Sequence, residues 1–192
     1  MPNPARLVFV AGAPAVGKMT VGQELERLTG TKLLFNHQII DLLSGYFEFG
    51  SDPFWRLADL IRVAFLAEAA AVNLSINLTI GVYFELQSDH EIVNRYADAY
   101  RTGGGSVYMV ELAAPLDVRL ARNLTENRRA HKNVVWATDE VLRALDAEHK
   151  HVSTPGEFPF DFPHLTIDTT RLEAAATAQL IADWLASDPA AD

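Results

Sequence analysis

The stretch Leu7-Val-Phe-Val-Ala-Gly12-Ala-Pro-Ala-Val-Gly17-Lys18-Met-Thr20 decides how the rest of the chain is read. Its apolar run predicts a strand that ends in a glycine-framed loop. Gly12 and Gly17-Lys18 have the spacing G-x-x-x-x-G-K. That spacing lets successive backbone N–H groups curl around an anion at the positive end of the next helix, while the lysine reaches the terminal phosphates. Val21, Leu25 and Leu28, closed by Gly30, supply the amphipathic helix. Gly12, Ala13, Pro14, Ala15, Val16, Gly17, Lys18, Met19 and Thr20 are therefore the expected nucleotide-phosphate contacts, with Lys18 also a catalytic candidate. Met19 stands where a Ser or Thr would offer Mg²⁺ a hydroxyl, and Thr20 follows one place later.

The whole chain has 192 residues, no cysteine and a formal net charge of −9. The length suits one domain with a substantial core. Without cysteine there is neither a disulfide framework nor a thiolate metal site. The acidic balance argues against a nucleic-acid surface, which needs a broad basic face. The uncharged run Ala69 to Phe84 contains Asn73, Ser75, Asn77 and Thr79, and the apolar start is cut short at Gly12. We therefore expect a cytoplasmic protein with no membrane partner.

Strand and helix signals alternate, which predicts a parallel sheet covered on both faces. Strands are expected near 6–11, 32–36, 74–80, 106–112 and 164–168. Ser51-Asp52-Pro53 predicts the start of a long helix through a polar cap and an early proline. Ser88-x-x-Glu91 and Thr170-x-x-Glu173 read as capping boxes, the first opening a helix that ends at Gly103-Gly104-Gly105 and the second the terminal helix. Lys150 to His164 reads as a loop rich in Pro and Phe that either closes over something or crosses the surface.

This order of parts resembles the P-loop small-molecule and nucleoside monophosphate kinases, the group containing adenylate, shikimate and gluconate kinases. Gly12-Ala-Pro-Ala-Val-Gly-Lys-Met-Thr20 is similar to the adenylate kinase loop, which also lacks a hydroxyl directly after its lysine. Phe54-Trp-Arg56 is similar to the Phe-Arg with which shikimate kinases hold the acceptor carboxylate. Val107-Tyr-Met-Val-Glu-Leu followed by Arg119, Arg122, Arg128 and Arg129 resembles the fourth strand and arginine-bearing lid. Leu165-Thr-Ile-Asp168-Thr169-Thr resembles the segment that passes the adenine ring. The resemblance implies a three-layer P-loop NTPase fold with a five-stranded parallel sheet, an acceptor lobe at about 37–72 and a lid at about 117–135. It also implies ATP and Mg²⁺, with the metal held largely through water.

Arg119, Arg122, Arg128, Arg129 and Lys132 gather on an otherwise acidic chain. Planar guanidinium groups meet the charge that phosphoryl transfer spreads over equatorial oxygens. Arg122 and Arg128 are accordingly catalytic candidates, while Arg119, Asp168 and Thr169 are nucleotide-contact candidates. The alternative is an ordinary solvated helix face. Toward the acceptor, His37 and Asp41 have the i, i+4 spacing of a base and its orienting partner if a helix starts at His37. Asn36, His37, Arg56 and Arg62 are the expected substrate contacts. Nucleoside monophosphate, sugar acid and other anionic metabolites all fit that set. The third strand has Asn77 and Thr79 but no aspartate, so the anionic support of a metal falls to Asp41, Glu85 or Glu111. Two functions follow: an ATP-dependent kinase for a small, anionic or hydroxyl-bearing acceptor, or a nucleotide-binding protein of the same fold without transfer chemistry. No Asn-Lys-x-Asp guanine-reading motif occurs.

Overall fold

The computed structural model describes residues 4–123 and 138–187. Five strands form one parallel sheet: β1 (Arg6–Gly12), β2 (Lys32–Phe35), β3 (Ile76–Thr79), β4 (Ser106–Ala113) and β5 (His164–Asp168), in the order β2-β3-β1-β4-β5. The central strand β1 pairs with β3 through Leu7 to Val10 and with β4 through Arg6 to Gly12. Crossover helices cover both faces, so the inner strands read as continuous apolar runs and not as alternating ones.

On one face, Val8, Val10, Tyr108, Val110 and Leu112 pack against α1 (Lys18–Thr29) and the terminal helix α7 (Ala174–Ala186). On the other, Leu7, Phe9, Leu78, Val107 and Met109 meet α3 (Asp52–Ala71) and α4 (Gln87–Thr102). Phe160 and Phe162 complete that second core, and Phe162 lies on Phe9 with ring centroids 6.0 Å apart. The Pro- and Phe-rich crossing is thus part of the wall over the sheet, held by buried aromatic area. A small third cluster joins α2 (His37–Ser44) to the start of α3 through Ile39, Leu43, Phe54 and Ala58.

Several expectations need correcting. β3 starts at Ile76 and β2 stops at Phe35, where Asn36 leads into α2. Neither expected capping box opens a helix. α4 begins at Gln87, so Ser88 is already inside its first turn, while Asp89 Oδ2 accepts from the Tyr83 N–H at 2.8 Å. α7 begins at Ala174, because Thr170 is engaged locally: its N–H and hydroxyl donate to Asp168 Oδ1 at 2.8 and 2.5 Å. Asp competing for a nearby N–H is the usual rival of a helical cap. Ser51 precedes α3 as expected, but its hydroxyl donates to the Glu48 carbonyl.

Beyond β4 the chain forms α5 (Leu116–Asn123) and, after the undescribed stretch, α6 (Asp139–Glu148). α6 was not anticipated, although its signal is present. Thr138 Oγ1 accepts from the Val141 N–H at 3.3 Å, and Asp139 and Glu140 lie in the first turn.

Gly12 ends β1 where the chain must turn beside β4. Its φ is 135°, and a Cβ there would lie 2.4 Å from the Leu112 carbonyl oxygen. Both obstacles are backbone, so Gly12→Ala should cost about 2 kcal/mol or more in urea unfolding followed by circular dichroism. Gly156→Ala, with φ 82° but nothing within 4 Å of its Cβ, should cost only about 1 kcal/mol.

Candidate functional site

A cleft of about 590 Å³ runs along the carboxyl edge of the sheet, where open α/β folds place their ligands. The loop from Pro14 to Thr20 forms its middle. Toward β5 it is lined by Arg122, Thr169, Leu172 and Glu173, and toward β2 by Phe35, Asn36, His37, Ile40, Asp41 and Phe49. Val141 and Leu145 of α6 also face it, as do Thr79 and Tyr83.

The loop has left-handed residues at Gly12, Ala15 and Gly17, with φ of 135°, 66° and 110°. Its carbonyls are turned onto cations. Lys18 Nζ donates to the Gly12 and Ala13 carbonyls at 2.5 and 2.9 Å. Arg119 donates to the Pro14 carbonyl at 3.4 Å, and Arg122 to that of Val16 at 3.1 Å. Arg122 also donates to the Thr169 carbonyl at 2.6 Å and to its hydroxyl at 3.1 Å, tying α5 to both the loop and the segment after β5.

Arg119 is only 2% exposed and does not line the main cleft. It is ion-paired with Asp146 of α6 and donates to the Ala114 carbonyl at 3.1 Å. With Asp168 it borders a second cavity, of about 410 Å³, behind the loop. Arg128, Arg129 and Lys132 lie outside the described residues.

Toward β2, the Asn36 N–H donates to Thr79 Oγ1 at 3.1 Å, which fixes the start of α2 against the end of β3. His37 and Asp41 follow one helical turn apart, and both line the cleft. Arg62 is 6% exposed. Its guanidinium donates to Asn36 Oδ1 at 2.7 Å and reaches the Tyr96 hydroxyl at 3.5 Å. Arg62 therefore reaches the cleft through Asn36. Arg56 is exposed and lies outside the lining of the cleft.

Of the three carboxylates considered for a metal, Asp41 alone lines the cleft. Glu85 accepts from the Lys150 N–H at 2.9 Å and pairs with His149 at 2.7 Å. Glu111 is fully buried and accepts from the Ser153 N–H and hydroxyl at 2.7 and 2.8 Å. Asn77 turns its amide toward α1, donating to the Gly22 and Thr31 carbonyls. Among the described residues no group of three or more His, Cys, Asp or Glu is gathered for a metal ion.

No family model matches the sequence, and no curated protein matches it. Solved structures do. The chain has the fold of the P-loop small-molecule kinases. A sugar kinase from Janibacter is similar over 97% of this chain and 98% of its own, with a TM-score of 0.62 and 16% identity. The shikimate kinase of Acinetobacter baumannii, in complex with shikimate, is similar over 97% and 96%, with a TM-score of 0.57 and 20% identity. The APS kinase of Mycobacterium tuberculosis, in complex with AMPPNP and APS, is similar over 96% and 99%, with a TM-score of 0.52 and 17% identity. Among the described residues no helix is long and apolar enough to cross a membrane.

The sequence reading passed over His151. It borders the second cavity, and its Nε2 lies 3.2 Å from the Leu145 carbonyl oxygen. Burial, then the positive charges of Lys18 and Arg119, lower its pKa to about 4, against a weaker opposing pull from Asp146. An unfolded histidine titrates near ~6.5. Between those values the unfolded chain binds a proton that the folded chain refuses, so stability rises with pH across the window and the gain is complete above it. The difference in urea midpoint between pH 5 and pH 7 should therefore be smaller in His151→Gln than in the unaltered protein. An equal difference would remove His151 from the acid limb.

Proposed function

We propose that this protein is a kinase that transfers the γ-phosphoryl group of ATP to a hydroxyl of a small acceptor. One observation carries the reading: a single cleft joins the anion-binding loop to Arg122 on one side and to the His37 and Asp41 pair on the other. The full-length likeness to sugar, shikimate and APS kinases supports it. A site built only to hold a nucleotide would gain little from an acceptor half.

The nucleotide phosphates would sit on the N–H groups of the loop, with Lys18 beside the β and γ positions. Arg122, Thr169 and Leu172 would flank the base and its adjoining phosphates. Thr20, which lines the cleft two residues beyond Lys18, would hold Mg²⁺. With no acidic cluster among the described residues, the donor set suits an ion that keeps phosphate and water ligands, as Mg²⁺ does. The metal would neutralise charge on the nucleotide's phosphates. In the transfer the acceptor oxygen forms the new P–O bond as the bond to ADP breaks, and ADP leaves with that electron pair. The acceptor's hydroxyl proton passes to His37, which Asp41 orients.

The test is ADP release by the full chain against a panel of alcohols, sugars and nucleosides. Lys18→Ala should abolish release and weaken ATP binding in calorimetry while the protein stays folded. His37→Gln should lower kcat by about 10²-fold or more with ATP affinity retained, and it should remove the acid limb that a general base gives the pH profile. Unchanged ATP binding by a folded Lys18→Ala would reject the phosphate site. ATP binding without release for any acceptor would leave a nucleotide-binding protein.

A further inference from the structure

We propose that the acceptor is a non-anionic alcohol, uncharged or amine-bearing, with an apolar body. The inference rests on the kinase reading of the same cleft and concerns the half that faces β2. There Phe35, Ile40 and Phe49 stand beside the neutral polar side chains of Asn36 and Ser44, with His37 and the carboxylate of Asp41. An apolar body gains from leaving water against such walls. A carboxylate or phosphate entering beside Asp41 meets a like charge.

The cations able to offset that repulsion are committed elsewhere. Lys18 and Arg122 are the Lys and Arg side chains lining the cleft among the described residues, and both are anchored on the anion-binding loop. Arg56 is outside the cleft. Arg62 is buried behind Asn36, whose Oδ1 takes its guanidinium at 2.7 Å. This bond does two things. It takes up one lone pair of the Asn36 carbonyl oxygen and leaves the neutral Nδ2 donor, which suits a hydroxyl oxygen. It also keeps the Arg62 charge one residue back from the acceptor, so an anion there would have no bidentate partner.

The experiment compares matched pairs on the full chain, in Mg²⁺ and saturating AMPPNP, by calorimetric titration. The pairs are methyl shikimate with shikimate, glucose with gluconate, and thymidine with thymidine monophosphate, together with an aminocyclitol and the cyclitol lacking its amine. The non-anionic member of each pair that binds should do so at least tenfold more tightly. In Asp41→Asn the ratio of the amine-bearing cyclitol's affinity to that of the neutral one should fall about tenfold. Asp41→Lys should reverse the preference toward the anions. Tighter binding of the anionic members would overturn the inference, and would assign the acceptor to cations among Arg128, Arg129 and Lys132, which lie outside the described residues. Binding of neither member of any pair while AMPPNP still binds would overturn it too. Failure of AMPPNP itself to bind would reject the kinase reading, which is a separate outcome.

Discussion

The carbonyls of the anion-binding loop are turned onto cations, and much of the site's architecture answers to that constraint. In a trans peptide the N–H and C=O point in opposite directions, and the described chain contains no cis peptide bond. With the carbonyls of Gly12 and Ala13 on Lys18, that of Pro14 on Arg119 and that of Val16 on Arg122, the N–H groups of Ala13, Ala15 and Gly17 are sent the other way. Pro14 has none to send. Left-handed backbone at Gly12, Ala15 and Gly17 is the conformational cost, at about 1 kcal/mol for Ala15, where the Cβ crowds the chain. The bonds from the half-buried Lys18 and Arg122 and the buried Arg119 offset it. Arg119 can remain 2% exposed because Asp146 and two carbonyls satisfy it, and breaking such an arrangement leaves an uncompensated charge.

The same bonds explain why α5 and α6 stand where they do. Arg119 and Arg122, three residues apart, project from adjacent positions of one helix face, so one helix grips the loop at two peptides. Arg119 reaches on to α6 and Arg122 to Thr169 after β5. The order β2-β3-β1-β4-β5 then divides the cleft. Strands on one side of β1 deliver the arginine clamp, and those on the other deliver Asn36, Thr79 and the start of α2. The two halves of the cleft are thereby built on opposite flanks of a single loop.

Much of this was legible in the sequence because it is local. The strand before Gly12, the spacing to Lys18 and the alternation of elements are encoded within windows of a dozen residues. The i, i+4 relation of His37 to Asp41 depended on a helix starting at His37, and one does. Long-range bonds were not. Arg62 and Asn36 are 26 residues apart, and Arg119 and Pro14 105 apart, so nothing local marks these arginines as facing protein. The misplaced capping boxes have the opposite origin: Thr170 and Ser88 matched a local rule, but Asp168 and the actual helix starts at Gln87 and Ala174 took precedence. Glu111 and Ser153 show a third case, in which a carboxylate in a strand has its partner in a crossing with no periodic signal.

Charge placement links these observations to selectivity. A chain with net charge −9 repels extended polyanions, which approach over a wide surface and at long range. A nucleotide carries its charge on a few adjacent oxygens and needs only a local positive field. Lys18 and Arg122 supply that field beside the loop's N–H groups, at the middle and one end of the cleft. A carboxylate stands toward each edge of the sheet, Glu173 near β5 and Asp41 near β2, while the Arg62 charge is held behind Asn36. The positive field of the cleft is therefore local to the loop and Arg122, bounded by a carboxylate toward each edge of the sheet.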